Sequence, residues 1–141
     1  MIQFYVDTCI WINLFKKEGI GSYPYWKITK DFLNFVKESS HKEVIFSNII
    51  LKELQYKLEL FTYQVAYNFL KETGTKVDLI EEDYLFAQKL EEESLYELSF
   101  ADYLHIAICK RLNLVLVTRD ADLLLCAQEY IITEKPENLM Y

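Results

Sequence analysis

At 141 residues the chain has the length of one domain and no room for two. Half of it is apolar (52%) and 16% is aromatic, which supplies a core and excludes intrinsic disorder. Only 3 Gly and 2 Pro argue against a turn-rich sandwich or barrel, and a net charge of −7 is unlike the basic proteins that grip duplex nucleic acid. In chain order, Ile2–Val6 predicts a first strand, followed by a helix over roughly Cys9–Lys16. An aromatic, glycine-containing connection, Lys16–Tyr25, leads to a helix over roughly Tyr25–Glu38, then a strand at Val44–Phe46. From Asn48 to Thr73 the pattern predicts one long helix, because Leu51, Leu54, Leu58, Phe61, Val65 and Phe69 recur at steps of three and four. Gly74 stands where a C-terminal glycine would end that helix. A strand at roughly Lys76–Leu79 and helices over Glu82–Glu92 and Phe100–Leu112 follow. A strand at Leu114–Val117, a helix over Ala121–Gln128 and a fainter strand around Tyr130–Thr133 complete the alternation.

Short strands that are apolar on both sides belong in a parallel sheet covered by helices. The expected fold class is therefore α/β: a three-layer α/β/α sandwich with a central, mostly parallel sheet of four to five strands, right-handed crossovers, and a single domain over 1–141. Every apolar run is broken well before the ~18 residues of a membrane span. The N-terminus lacks the basic leader of a signal peptide, and Asp7 interrupts where an apolar core would lie. Cys9, Cys109 and Cys126 are odd in number and widely spaced, so reduced thiols in a cytoplasmic protein are expected. The acid runs Glu81–Asp83 and Glu91–Glu93 read as the solvated ends of one helix.

In such a fold, chemistry sits beyond the carboxyl ends of the strands. Asp7 directly follows the first strand, and Glu53 lies in the second turn after the second. Asp102 opens the helix after Ser99, and Asp120 follows the strand at Leu114–Val117, with Asp122 two residues on. Each has an ordinary structural reading: Asp7 and Asp120 as N-caps, Ser99-x-x-Asp102 as a capping box, and Glu53 paired with Lys57 at i,i+4. Together, carboxylates converging at one sheet end repel one another, and a divalent cation offsets that. All-oxygen ligands favour Mg²⁺ or Mn²⁺ over zinc, and no H-E-x-x-H or Cys/His cluster argues otherwise.

The segments VDTCIWINLF (6–15), FSNIILKEL (46–54) and FADYLHIAICKRLNLVLVTRDADLL (100–124) resemble the PIN domain, and more narrowly the toxin nucleases of the VapC type. The resemblance covers nearly the whole chain, and its last block is the most specific. It implies a metal-dependent endoribonuclease whose acidic quartet would be Asp7, Glu53, Asp102 and Asp120. Thr8 and Thr118 match the small hydroxyl residues beside the family's site, and Lys16–Tyr25 departs from its pattern in length. His105, three residues beyond Asp102, reads as a residue behind the ligands rather than a general base. Arg119 reads either as an RNA phosphate contact or as a solvated loop arginine, and Lys16 and Lys17 either as RNA contacts or, the favoured reading, as an ordinary charged helix end. The acidic balance allows a small footprint on single-stranded or loop RNA, helped by aromatic stacking.

Three other readings compete. A non-catalytic PIN-fold module binding RNA or protein would keep the acids only as caps, but the complete quartet argues against it. A haloacid-dehalogenase-like phosphatase would want an Asp where Cys9 stands, and a receiver domain would want its acceptor after the third strand, where Asp78 falls inside it. For assembly, Ile49, Tyr56, Leu60 and Tyr67 form a second apolar set on the expected long helix, beside Glu53. That set predicts a two-fold homodimer unless the Glu82–Glu92 helix or the Lys16–Tyr25 connection covers it. The resemblance adds an antitoxin protein as a second partner.

Overall fold

The computed structural model describes residues 1–140. The described elements run β1 (Ile2–Val6), α1 (Thr8–Phe15), α2 (Tyr25–Lys37), β2 (Lys42–Ser47), α3 (Asn48–Lys57), α4 (Leu60–Thr73), β3 (Gly74–Val77), α5 (Glu81–Glu93), α6 (Phe100–Leu112), β4 (Val115–Val117), α7 (Ala121–Ala127) and β5 (Thr133–Glu134), with a short 3-10 turn at Pro136–Asn138. Their strands form one sheet in the order β3-β2-β1-β4-β5, and every pairing is parallel. Right-handed crossovers place α1 to α4 over one face and α5 to α7 over the other, which gives the expected three layers. Among the described residues no helix is long and apolar enough to cross a membrane.

The central strand shows why its residues are continuously apolar. Phe4, Tyr5 and Val6 are all buried, because successive side chains point to opposite covered faces. Phe4 meets Phe32 of α2 edge-on at 5.3 Å, whereas Tyr5 lies 5.3 Å from the ring of His105 on α6. Trp11 is fully buried beneath the site and donates its ring N–H to Val6 O at 3.1 Å.

The long helix expected over Asn48–Thr73 is two helices. Leu58 leaves helical geometry (φ −107, ψ 148), and Glu59 caps α4 by accepting from the Thr62 N–H at 2.9 Å and its hydroxyl at 2.7 Å. The break also turns the stripe. Leu51, Leu54 and Leu58 are buried as expected, but in α4 the buried residues are Ala66 and Leu70, leaving Phe61 71% and Val65 46% exposed. Gly74 is no left-handed cap, since its backbone is extended (φ −121, ψ 176) and it opens β3, two residues before the expected start. A glycine suits this position because a Cβ would press on Val44 O and Phe46 Cδ1, each at 3.1 Å. β5, by contrast, falls later than expected, at Thr133–Glu134. In the Lys16–Tyr25 connection Ile20 and Tyr23 exchange backbone hydrogen bonds around Gly21, whose φ of 58 explains the glycine.

Candidate functional site

All strands run the same way, so Asp7 after β1, Ser47 at the end of β2 and Thr118 after β4 share one edge of the sheet. The chain leaves β1 toward β2 on one side, while β4 lies on the other. The carboxyl ends of β1 and β4 therefore border the crevice where α/β folds bind ligands. Asp7 is 6% exposed and caps α1, its Oδ1 accepting the Thr8 N–H at 2.8 Å. Its Oδ2 accepts from Thr118 Oγ1 at 2.8 Å and from the Cys9 thiol at 3.3 Å. Burial and the Asp7 charge push the Cys9 thiol up to about 12, so it stays a protonated donor. The cap reading of Asp7 is thus correct, and the same carboxylate also ties β1 to β4.

Glu53 turns inward from α3 rather than toward Lys57. Its Oε1 accepts from Thr8 Oγ1 at 2.9 Å and from His105 Nε2 at 2.7 Å. His105 is fully buried, with Nδ1 2.7 Å from Tyr5 OH, which in turn lies 2.6 Å from Ser47 Oγ. Ligand atoms of Asp7, Glu53 and His105 all lie within 4.8 Å of one another. Burial pushes Glu53 up, but the hydrogen bond and charge of His105, with Thr8, outweigh it and hold the carboxyl below its ordinary value. The converse holds for His105. Burial opposes its charged form, yet the bond to Glu53 and the charges of Asp7, Glu53 and Asp102 raise it.

Asp102 sits in the first turn of α6, its N–H donating to Ser99 Oγ at 3.2 Å. Its half-buried carboxyl is pushed up to about 6, first by burial and further by the charges of Asp7 and Glu53, with His105 and Ser99 pulling the other way. Asp102 therefore shares the electrostatic field of the cluster. Asp120 stands at its margin. It is exposed and caps α7, its Oδ1 accepting the Asp122 N–H at 3.0 Å and the Leu123 N–H at 3.2 Å. The Thr118 hydroxyl links it to Asp7 by accepting the Asp120 N–H at 3.1 Å. Asp122 is exposed in the same turn. Arg119 is held away from solvent: Nη1 donates to Glu137 Oε2 at 2.9 Å, and the guanidinium lies 4.2 Å over the Tyr25 ring.

The donor set fits a hard cation. Asp7 Oδ1 takes one donor and keeps a lone pair, and Glu53 Oε2 takes none among the described residues. Both ring nitrogens of His105 are already engaged, so the open positions are carboxylate oxygens. Tyr5, Ser47 and Cys9 are the participants that the sequence reading missed. Ser47 carried a signal, since it ends a strand just as Asp7 follows one; in Tyr5 the polar tip is hidden in an apolar strand.

Comparison with known proteins bears on this arrangement. The family model described as the PIN domain matches residues 4–127. No curated protein matches the sequence. Among solved structures, VapBC2 from Rickettsia felis, bound to a DNA fragment from its promoter, superposes with a TM-score of 0.73 at 16% identity, covering 95% of this chain and 98% of that one. VapBC-1 from nontypeable Haemophilus influenzae gives 0.71 at 17% identity, covering 96% and 99%. VapC20 from Mycobacterium tuberculosis, a toxin that cleaves the sarcin-ricin loop, gives 0.64 at 19% identity, covering 85% and 92%. At these identities the structures attest the fold alone, and the family rests on the model that spans the three strand ends carrying Asp7, Ser47 and Thr118. The chain belongs to the PIN domain family.

Proposed function

We propose that this protein is a VapC-like toxin, an endoribonuclease that hydrolyses RNA phosphodiester bonds with Mg²⁺ or Mn²⁺. The observation that carries the reading is the packing of Asp7 and Glu53 ligand atoms within 4.8 Å at the switch point, beside an Asp102 carboxyl driven up to about 6 by its surroundings. At such a separation and an effective dielectric of ~20, two carboxylates repel by roughly 3 kcal/mol. Asp7, Glu53 and Asp102 would hold the cation, with Asp120 completing the charge or orienting water at the exposed rim. When bound, a divalent ion supplies an activated water and stabilises the charge that builds on the phosphate and leaving oxygen. Thr8 and Thr118 donate to Glu53 and Asp7 and keep both carboxylates facing the crevice. Arg119 lies next to Asp120 and would meet an RNA phosphate only after releasing Glu137.

The whole chain would act as one domain in the cytoplasm, as a homodimer and under the control of an antitoxin protein. Support for the antitoxin comes from neighbours solved as toxin–antitoxin complexes, among them the VapBC proteins of Rickettsia felis and Haemophilus influenzae. The RNA substrate is supported by VapC20, a structural neighbour that cleaves the sarcin-ricin loop. Incubating the purified protein with a mixed RNA pool, with Mn²⁺ or with EDTA, tests the proposal. Discrete cuts that require the metal and vanish in Asp7→Asn are expected. Metal-independent cleavage, or none by a folded parent, rejects it.

A further inference from the structure

A buried chain of hydrogen bonds begins at the end of β2 and finishes on Glu53. Ser47 Oγ lies 2.6 Å from Tyr5 OH, Tyr5 OH 2.7 Å from His105 Nδ1, and His105 Nε2 2.7 Å from Glu53 Oε1. Tyr5, His105 and Ser47 are each 0% exposed, so water does not compete for these bonds. A carboxylate can only accept, so Nε2 carries the proton that meets Oε1. Nδ1 then either accepts from Tyr5 while Ser47 donates to Tyr5, or donates to Tyr5 while Tyr5 donates to Ser47. Tyr5 and both ring nitrogens are satisfied in either arrangement, and the ring is fixed in both.

We propose that His105 is a positioning residue, held by Tyr5 and Ser47, which engages Glu53 Oε1 and leaves Oε2 as the one oxygen Glu53 presents to a divalent cation. The inference rests on the metal-site reading above. Glu53 has a long side chain on a partly open helix face, with Lys57 one turn away and able to draw it outward. Two donors, His105 and Thr8, converge on the same oxygen and hold the carboxylate inward before any cation arrives. Partners behind a ligand typically change metal affinity 10- to 100-fold when removed.

The test is Mn²⁺ binding to the full chain, counted as free Mn²⁺ by electron paramagnetic resonance, with folding checked by circular dichroism. His105→Leu is expected to weaken Mn²⁺ binding about tenfold or more, and Tyr5→Phe by a few-fold. His105→Gln, whose amide nitrogen can replace the Nε2 donor, should recover most of the loss. A merely structural role would lower the melting temperature of all three and leave the Mn²⁺ affinity of the folded protein unchanged; that result overturns the proposal. If His105→Leu does not fold, Tyr5→Phe decides, since it removes a single oxygen. If the parent itself binds no Mn²⁺, the metal reading fails, and the positioning contact is judged on the imidazole N–H resonance. That signal must shift in Glu53→Gln, and an unmoved signal overturns the contact.

Discussion

Asp102 is where the site's electrostatics become measurable. Folded, its carboxyl keeps a proton up to about pH 6, against an ordinary value of 3.8. The folded state therefore binds more protons than the unfolded chain between those values, and stability falls as pH rises from about 4 to about 6. Asp102→Asn removes that slope. Without metal at pH 7.5 the variant is expected to melt about 2–4 °C above the parent; in saturating Mg²⁺ the order should reverse, because only the parent gains binding energy. A metal-free melting curve for Asp102→Asn that tracks the parent from pH 4 to 8 contradicts this account. Glu53 acts with the opposite sign. Its lowered carboxyl contributes stability that is present above its ordinary 4.5 and fades in stronger acid. For catalysis, Asp102→Asn should remove most RNA cleavage while the fold survives, and undiminished cleavage would release this residue from the site. The candidate acids stand out in the sequence because Asp7 and Asp120 follow strands, and Glu53 and Asp102 lie in the first two turns of helices at that same end of the sheet. The Ser47–Tyr5–His105 chain was hidden because apolar periodicity cannot separate a core tyrosine from one whose hydroxyl is used.

At the scale of elements, the layer carrying Asp102 is fastened by a buried ion pair. Asp83 on α5 is 1% exposed and takes Arg111 Nε at 2.8 Å and Nη2 at 3.0 Å, while Nη2 also donates to Asp78 O at 2.9 Å. Arg111→Leu strands the Asp83 charge in the interior and should cost roughly 3 kcal/mol, the low end for a broken buried pair because solvent reaches the arginine. Denaturant unfolding measures it, and a loss under about 0.5 kcal/mol would mean that the pair is solvated. On the opposite edge, Gly74→Ala should cost about 1–3 kcal/mol by overpacking Val44 O and Phe46, even though alanine suits its extended backbone. β1 and α6 lie where the sequence placed them, since a short, continuously apolar run and a Ser99 cap leave little choice. The break at Leu58–Glu59 was invisible to periodicity because Phe61 and Val65 continue the apolar spacing past it. What ends α3 is a local event, the Glu59 carboxylate taking two donors from Thr62.

That same break shapes one patch of the molecule's exposed apolar surface. Of the set expected to make a dimer face, Ile49 is buried at 9% exposure and Tyr67 packs beside Tyr63, so two of the four members serve the monomer. Tyr56 and Leu60 remain open at 91% and 69%, and neither α5 nor the Lys16–Tyr25 connection covers them. The kink between α3 and α4 adds Phe61 at 71% and Val65 at 46%, residues that an unbroken helix would have turned inward. Large apolar side chains grouped in this way mark an interaction surface, and a two-fold axis at the kink would pair the patch with itself. Each copy carries a net charge of −7, so apolar contact must overcome mutual repulsion. Dimerisation should therefore tighten as salt rises from about 0.05 to 0.5 M, the reverse of an interface held by ion pairs. Sedimentation equilibrium at tens of micromolar is expected to show twice the 16.9 kDa chain mass for the parent. Tyr56→Glu with Leu60→Glu should return it to the chain mass without lowering the melting temperature. A parent that sediments at 16.9 kDa at every salt concentration rejects the dimer and leaves the patch to a different protein.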